Sequence, residues 1–269
     1  MNLMCGVLAI VFTFAGRIDI APWLLLTAAL FDFFDGMLAR KMGLSGELGK
    51  QLDSLADVVS FGLAPGFIMM VVMVLSLHGD APFYINDFSS NVHFELQNWM
   101  NAVFYNVPNS VNYGFIYLPF LAMLIPFFSM FRLAKFNIDE RQSDSFIGVP
   151  TPLNTIFFMF FPFILHSEFS AIQLDPMKFS WLLNEYILGV IIIVMSYLLI
   201  SELPLISLKF KNFGWKGNQY RFVFLILSSI LILSLFVWSI PLIVFLYLII
   251  SLIESREKKN KQHEIQSGN

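Results

Sequence analysis

An all-α fold, a polytopic membrane bundle of about eight transmembrane helices, is predicted on three observations. Of the 269 residues, 57% are hydrophobic and 13% are charged, and the mean hydropathy of +0.72 is too high for a soluble domain. Apolar residues fall into runs approaching the ~20 residues that a crossing needs, separated by short polar segments. Lysine and arginine collect in alternate loops, as they do on the cytoplasmic side of membrane proteins. The net charge of −3 adds little, because the distribution of Lys and Arg matters more than their sum.

The runs are predicted as follows. A first stretch, Leu3 to Ala15, is short for a span, and Gly16 to Pro22 turns the chain into a second helix, Trp23 to about Lys41. A third runs from about Lys50 to Leu77 and contains Ser60-Phe61-Gly62-Leu63-Ala64-Pro65-Gly66, whose small residues predict a closely packed, bent wall. From His78 to about Tyr113 the chain is polar, with Asp80, Asp87 and Glu95 and no Lys or Arg, which predicts an extracytoplasmic segment. A fourth span, Phe115 to about Phe131, leads into Arg132-Leu133-Ala134-Lys135-Phe136-Asn137, and a fifth ends near His166. A sixth runs from Trp181 to Ile200, and the basic stretch Lys209 to Arg221 follows it. Phe222 to Ile253 is too long for one span, and Ser239-Ile240-Pro241 predicts a turn between two helices.

A cytoplasmic N-terminus then places 14 of the 16 basic residues inside, with only Arg17 and Lys178 outside. Residues 1–253 read as a single transmembrane catalytic domain, and 254–269 as a polar, disordered cytoplasmic tail. One cysteine, Cys5, rules out an internal disulfide and reads as a small core residue. His78, His93, His166 and His263 lack ligand spacing. No basic region precedes the first apolar run, so no secretory signal is expected. The dispersed basic residues predict no nucleic-acid partner.

The chemistry concentrates between Phe31 and Ser60. Asp32 and Asp35 are three apart, and Asp53 and Asp57 four apart, so each pair shares one face of a helix. Four carboxylates gathered at a membrane boundary carry about −4 at low dielectric and need a counter-charge. Two divalent cations supply it, since carboxylate oxygens are hard ligands suited to Mg²⁺, Mn²⁺ or Ca²⁺, and such ions clamp phosphate oxygens. A diphosphate substrate is the natural expectation.

The spacing Asp32-x2-Asp35-Gly36-x2-Ala39-Arg40-x8-Gly49-x3-Asp53-x3-Asp57 resembles the signature of the CDP-alcohol phosphatidyltransferases at every fixed position. The resemblance implies that a phosphatidyl group passes from a CDP-linked lipid to an alcohol, with release of CMP. It implies a metal and nucleotide site at the cytoplasmic ends of helices 2 and 3 of the bundle. By analogy Asp32, Asp35, Asp53 and Asp57 hold a pair of Mg²⁺ or Mn²⁺ ions, and Asp57, which ends the motif, is the candidate general base. Gly36, Ala39 and Gly49 remove bulk so that the nucleotide can lie against the helices, and Arg40 can pair with phosphate. Close helix packing is the alternative reason for the glycines.

Asn2-Leu3-Met4-Cys5-Gly6, Asp53 to Pro65, Arg132 to Asn137 and Phe146-Ile147-Gly148-Val149-Pro150-Thr151-Pro152 are together similar to the membrane-integral CDP-diacylglycerol:serine O-phosphatidyltransferases. That similarity implies CDP-diacylglycerol and L-serine as substrates and a site in the inner membrane facing the cytoplasm; a homodimer is compatible with it. Members usually carry further residues ahead of the position matching Asn2. Serine brings a carboxylate, for which Arg132 and Lys135 are the candidate cations, although positive-inside anchoring explains them almost as well. Two other readings are a different acceptor, glycerol 3-phosphate or inositol, and a divalent-cation transporter, against which Arg40 argues.

Overall fold

A computed structural model of the chain describes residues 1–41, 46–77, 88–105, 115–138, 146–172, 184–206, 214–215 and 218–267. Asp80, Asp87, Arg141, Lys178, Lys209, Lys211 and Lys216 lie outside the described residues. Almost everything described is helical. The four stretches Ala21–Leu38, Glu47–Ser76, Leu118–Ile138 and Gln219–Glu257 are long and apolar enough to cross a membrane, and Asn2–Phe14, Thr151–His166 and Glu185–Ile200 are shorter apolar helices.

Helix α1 (Asn2–Phe14) buries Asn2, Cys5, Gly6, Ala9 and Thr13. These recur every three or four residues and form one stripe of small side chains. It packs against α2 (Ala21–Lys41), whose first half is anchored by the fully buried Ala21, Leu25 and Ala28. The turn between them carries a bidentate pair, with Arg17 Nε and a terminal guanidinium nitrogen each 2.9 Å from an Asp19 oxygen. Burial raises the Asp19 carboxyl, but Arg17 outweighs it and holds the group below its ordinary value. Arg17 thus brings its own counter-charge, which fits its place as an exception to the distribution of basic residues.

The next helix runs without interruption from Glu47 to Ser76 in three parts. In α3 (Glu47–Asp57) no residue is buried, Val58–Leu63 forms a π-helical stretch, and α4 (Ala64–Ser76) buries nearly every side chain. A helix that is apolar all round belongs in a core, and α4 is the central post of this one. α1, α5, α6 and α7 pack around α4. Within the stretch expected to be extracytoplasmic, α5 (Phe88–Tyr105) forms a helix because Val92, Leu96 and Trp99 share one buried face. Trp99 Nε1 donates to the Ile116 carbonyl at 2.8 Å.

A 3₁₀ stretch, Leu118–Met123, leads into α6 (Leu124–Ile138), which continues past Phe131 and brings Arg132 and Lys135 inside the helix. Gly62 and Gly66 let this element approach: a Cβ on Gly62 would stand 3.0 Å from Ser129 Cβ, and one on Gly66 2.7 Å from Pro126 Cδ. The expected close packing of the Ser60–Gly66 segment is therefore seen. After α6, β1 (Phe146–Ile147) pairs antiparallel with β2 (Pro204–Leu205), and α7 (Thr151–Ile172) and α8 (Glu185–Ile200) lie between them in sequence.

The last apolar region does fold into two helices, α9 (Gln219–Leu235) and α10 (Ser239–Ser267), which pack side by side. The break falls at Phe236, with φ +47°, a few residues before the expected Ser239-Ile240-Pro241 turn. Pro241 sits in the first turn of α10, where no backbone N–H is needed. The tail expected to be disordered continues as helix to Ser267, since Glu, Lys, Arg and Gln are strong helix formers and extend a helix already nucleated.

α1 lies so close to the π-helical stretch that a Cβ on Gly6 would stand 2.3 Å from Ser60 Oγ and 2.7 Å from Ser60 Cα. Because the obstacle includes backbone, Gly6→Ala is expected to cost about 1–3 kcal/mol and to lower the thermal unfolding midpoint in detergent. An unchanged midpoint would show that α1 does not sit this close.

Candidate functional site

Two elements carry the acids. α2 leaves the core after Ala28, and from Leu30 onward its side chains are mostly exposed, so Asp32 and Asp35 stand on its projecting half. α3 projects likewise and carries Asp53 and Asp57 on its last two turns. One carboxylate oxygen each from Asp32, Asp35 and Asp53 lies within 4.8 Å of the others. Asp32 is half-buried, and Asp35 and Asp53 are exposed. Three hard oxygen donors converging on one point fit a divalent cation, so this donor set could hold the predicted metal.

Asp57, the fourth predicted ligand, is not part of that trio. Its Oδ1 accepts a hydrogen bond from Asn2 Nδ2 at 2.8 Å, and the same Nδ2 lies 3.4 Å from Asp32 Oδ1. Asp32 is also within hydrogen-bonding reach of Asp53 and Asp57. The four aspartates therefore lie together, as a trio plus a neighbour bridged to Asp32 by an asparagine. Ser60 Oγ donates to the Asn2 carbonyl at 3.1 Å and fixes the first turn of α1 against the π-helical stretch. Such stretches often occur at functional sites, and this one begins immediately after Asp57.

A second set of contacts steadies α3. Lys50 Nζ donates to the Asn137 carbonyl at 3.0 Å, Asn137 Nδ2 to Ser54 Oγ at 2.8 Å, and Ser54 Oγ to the Lys50 carbonyl at 3.1 Å. The C-terminal end of α6 thus holds the acid-bearing helix at Lys50 and Ser54, on either side of Asp53 in sequence.

Among the described residues, a Cβ on Gly36 or on Gly49 would have no atom within 4 Å. Close helix packing, the alternative reason for a glycine, is not what these two provide. Both border open space beside the acids, as expected for a surface that a ligand lies against. The backbone of Ala39 and Arg40 continues α2, and their side chains lie outside the described residues.

The two candidate cations on α6 have different surroundings. Arg132 is only 4% exposed. Its Nε donates to the Val149 carbonyl at 3.3 Å, and the guanidinium lies 5.4 Å from the Phe136 ring centroid. The Val149 carbonyl is held there because Gly148 takes φ +77° and its N–H bonds Leu203 at 2.8 Å, while Val149 N–H bonds the Leu198 carbonyl at 3.1 Å. Lys135 is well exposed and pairs with the still more exposed Glu202 at 3.4 Å.

Asn2, Ser54 and Asn137 were not assigned to the site by sequence reasoning. One signal was available: Asn2 is a lone amide in the first turn of an otherwise apolar helix, a position that needs a polar partner. Nothing local marked Ser54 or Asn137, whose partners are more than 80 residues apart in sequence.

Residues 1–94 match the family model of the CDP-alcohol phosphatidyltransferases. Among curated proteins, the CDP-diacylglycerol–serine O-phosphatidyltransferase of Bacillus subtilis is 28% identical over 202 residues, which covers 75% of this chain and 83% of that protein. The protein of the same name from Helicobacter pylori is 25% identical over 256 residues, covering 94% and 86%. The archaetidylserine synthase of Methanothermobacter thermautotrophicus is 26% identical over 206 residues, covering 76% and 65%.

Removing one of three converging carboxylates should weaken a bound cation without disturbing the fold. Asp53→Asn is expected to lower Mn²⁺ affinity, read by electron paramagnetic resonance, by about tenfold or more, with the unfolding midpoint of the metal-free protein unchanged or raised. Equal Mn²⁺ affinity in the variant would remove Asp53 from the ligand set.

Proposed function

From the match of residues 1–94 to the CDP-alcohol phosphatidyltransferase family model, we propose that the chain is a member of that family and that it transfers the phosphatidyl group of CDP-diacylglycerol to L-serine, giving phosphatidylserine and CMP. The observation that carries this reading is the convergence of Asp32, Asp35, Asp53 and Asp57 beside the open faces of Gly36 and Gly49. Relatives named for the serine reaction, aligned along most of the chain, support the choice of acceptor. The apolar helices are read as eight crossings, with α9 and α10 as separate ones and the acid pairs on the cytoplasmic side, where the basic residues gather.

In the reaction the serine hydroxyl oxygen attacks the phosphorus that bears the diacylglycerol, the bond to CMP breaks, and the hydroxyl proton leaves the attacking oxygen. Asp57 takes that proton: outside the converging trio and oriented by Asn2, it is the carboxylate least committed to a cation. Two divalent cations, Mg²⁺ or Mn²⁺, held by Asp32, Asp35 and Asp53 with Asp57 adjoining, would neutralise the diphosphate and stabilise charge on the departing phosphate. Gly36, Ala39 and Gly49 give the nucleotide a flat approach, and Arg40 is the residue expected to pair with phosphate. Leu48, Leu52 and Leu55 expose an apolar stripe on α3, which a homodimer would cover.

Arg132 is preferred to Lys135 as the partner of the serine carboxylate. Topogenic anchoring needs a charge in water, and Arg132 is buried, whereas Lys135 is exposed and already paired.

Purified protein given CDP-diacylglycerol and Mn²⁺ or Mg²⁺ is expected to release CMP with serine, to do so poorly with glycerol 3-phosphate or inositol, and to stop when the metal is chelated. CMP release with another alcohol alone would overturn the serine reading. Asp57→Asn keeps the size of the side chain and removes the base, so kcat should fall on the order of 10²–10⁴-fold with nucleotide binding retained.

For Arg132, loss of one charge-assisted hydrogen bond, worth ~1.5–3 kcal/mol, predicts a rise in the KM for serine of roughly 10–150-fold, with CDP-lipid binding nearly unchanged. Arg132→Lys should show most of that loss if the contact is a planar fork. Wild-type KM values in correctly inserted Arg132→Ala and Lys135→Ala would remove both residues from acceptor recognition.

A further inference from the structure

Asn2 is 3% exposed, and its position is fixed from two sides. Its backbone carbonyl accepts from Ser60 Oγ, and the absence of a side chain on Gly6 lets α1 lie against Ser60 closely enough for that bond. So held, its amide nitrogen sits 2.8 Å from Asp57 Oδ1 and 3.4 Å from Asp32 Oδ1. Its Oδ1 is buried without a hydrogen-bond partner among the described residues. An apolar residue would dock α1 equally well without burying an orphaned acceptor, so packing does not account for an asparagine here. What distinguishes it is the N–H it presents to Asp57.

We propose that Asn2 is a positioning residue for Asp57: its amide nitrogen, placed between Asp57 Oδ1 and Asp32 Oδ1, fixes the orientation of the Asp57 carboxylate beside the Asp32, Asp35 and Asp53 trio, so that Asp57 removes the acceptor's proton while the other three hold the cations. This rests on the reaction proposed above. A neutral donor suits the task. Lysine or arginine at the same place would fix Asp57 equally well, but its charge would lower the basicity the carboxylate needs. A carboxylate bound edge-on to a metal would likewise be a poor acceptor of a proton. The amide orients the group and leaves its charge available.

The test is a double-mutant cycle with a metal-binding arm. Asn2→Ala is expected to lower kcat by about 10–100-fold while the KM for CDP-diacylglycerol and the Mn²⁺ affinity stay within about threefold. In an Asp57→Asn background the same change should cost less than about twofold, because the group it positions is gone.

Asn2→Asp has nearly the same shape and places a further carboxylate between Asp57 and Asp32. It is expected to raise Mn²⁺ affinity, read by electron paramagnetic resonance without substrate, by about tenfold. It should also lower the unfolding midpoint of the metal-free protein. The positioning role is overturned if Asn2→Ala costs as much in the Asp57→Asn background as in the wild type, or if Asn2→Asp leaves Mn²⁺ affinity unchanged. A wild-type protein that releases no CMP with any alcohol overturns the reaction instead, and the metal-binding arm still reports whether Asn2 faces the acids.

Discussion

Mutual repulsion of carboxylates is the constraint on which the rest of the molecule depends. Three carboxylate oxygens lie within 4.8 Å of one another. At an effective dielectric constant of ~20, two unit charges at that distance repel by about 3 kcal/mol, and a fourth carboxylate adjoins them. Side chains left to themselves would rotate apart. The site therefore needs elements that cannot move apart, and a cation to make the arrangement favourable.

The scaffold meets this need with backbone proximity rather than bulk. α4 is buried along almost its whole length and is continuous with α3, so the acid-bearing helix is the projecting end of the core's central post. Gly6, Gly62 and Gly66 bring α1 and α6 against the segment immediately after Asp57. The Lys50–Asn137–Ser54 contacts tie α3 to the end of α6. Thr155 adds a buried tie from α7, donating to the Phe61 carbonyl at 2.9 Å. In a membrane, where apolar attraction between helices is weak, close approach and side-chain hydrogen bonds of this kind are the main means of fixing one helix relative to another.

The same economy places Arg132. A buried guanidinium is costly unless satisfied, and here Gly148 and Val149, just ahead of α7, bond Leu203 and Leu198 at the end of α8 and beyond, which presents the Val149 carbonyl to it. Gly148 makes this approach possible, since a Cβ there would stand 2.7 Å from the Ser201 carbonyl and 2.8 Å from that of Leu199. The β1–β2 ladder and the Tyr247 hydroxyl bond to the Ile206 carbonyl hold the partner strand against α10, so C-terminal helices that carry none of the four aspartates still shape the surroundings of Arg132.

The sequence by itself determined the helical class, the apolar stretches, the two acid pairs and the glycines that leave space beside them. All of these rest on local periodicity: three- and four-residue spacing puts Asp32 with Asp35, and Asp53 with Asp57, whatever the rest of the chain does. A break in the last apolar region was legible for the same reason, though Phe236 rather than Ser239 takes the strained conformation. The helical continuation of the tail was missed because composition alone does not tell a solvated helix from a solvated coil. Only the tertiary structure decided which acids group together, that Asn2 bridges Asp57 and Asp32, that Asn137 and Ser54 brace the acid helix, and that Arg132 is buried while Lys135 is not. Those outcomes rest on contacts 17 to 83 positions apart in sequence, and such contacts are set by how helices pack, which no local pattern encodes.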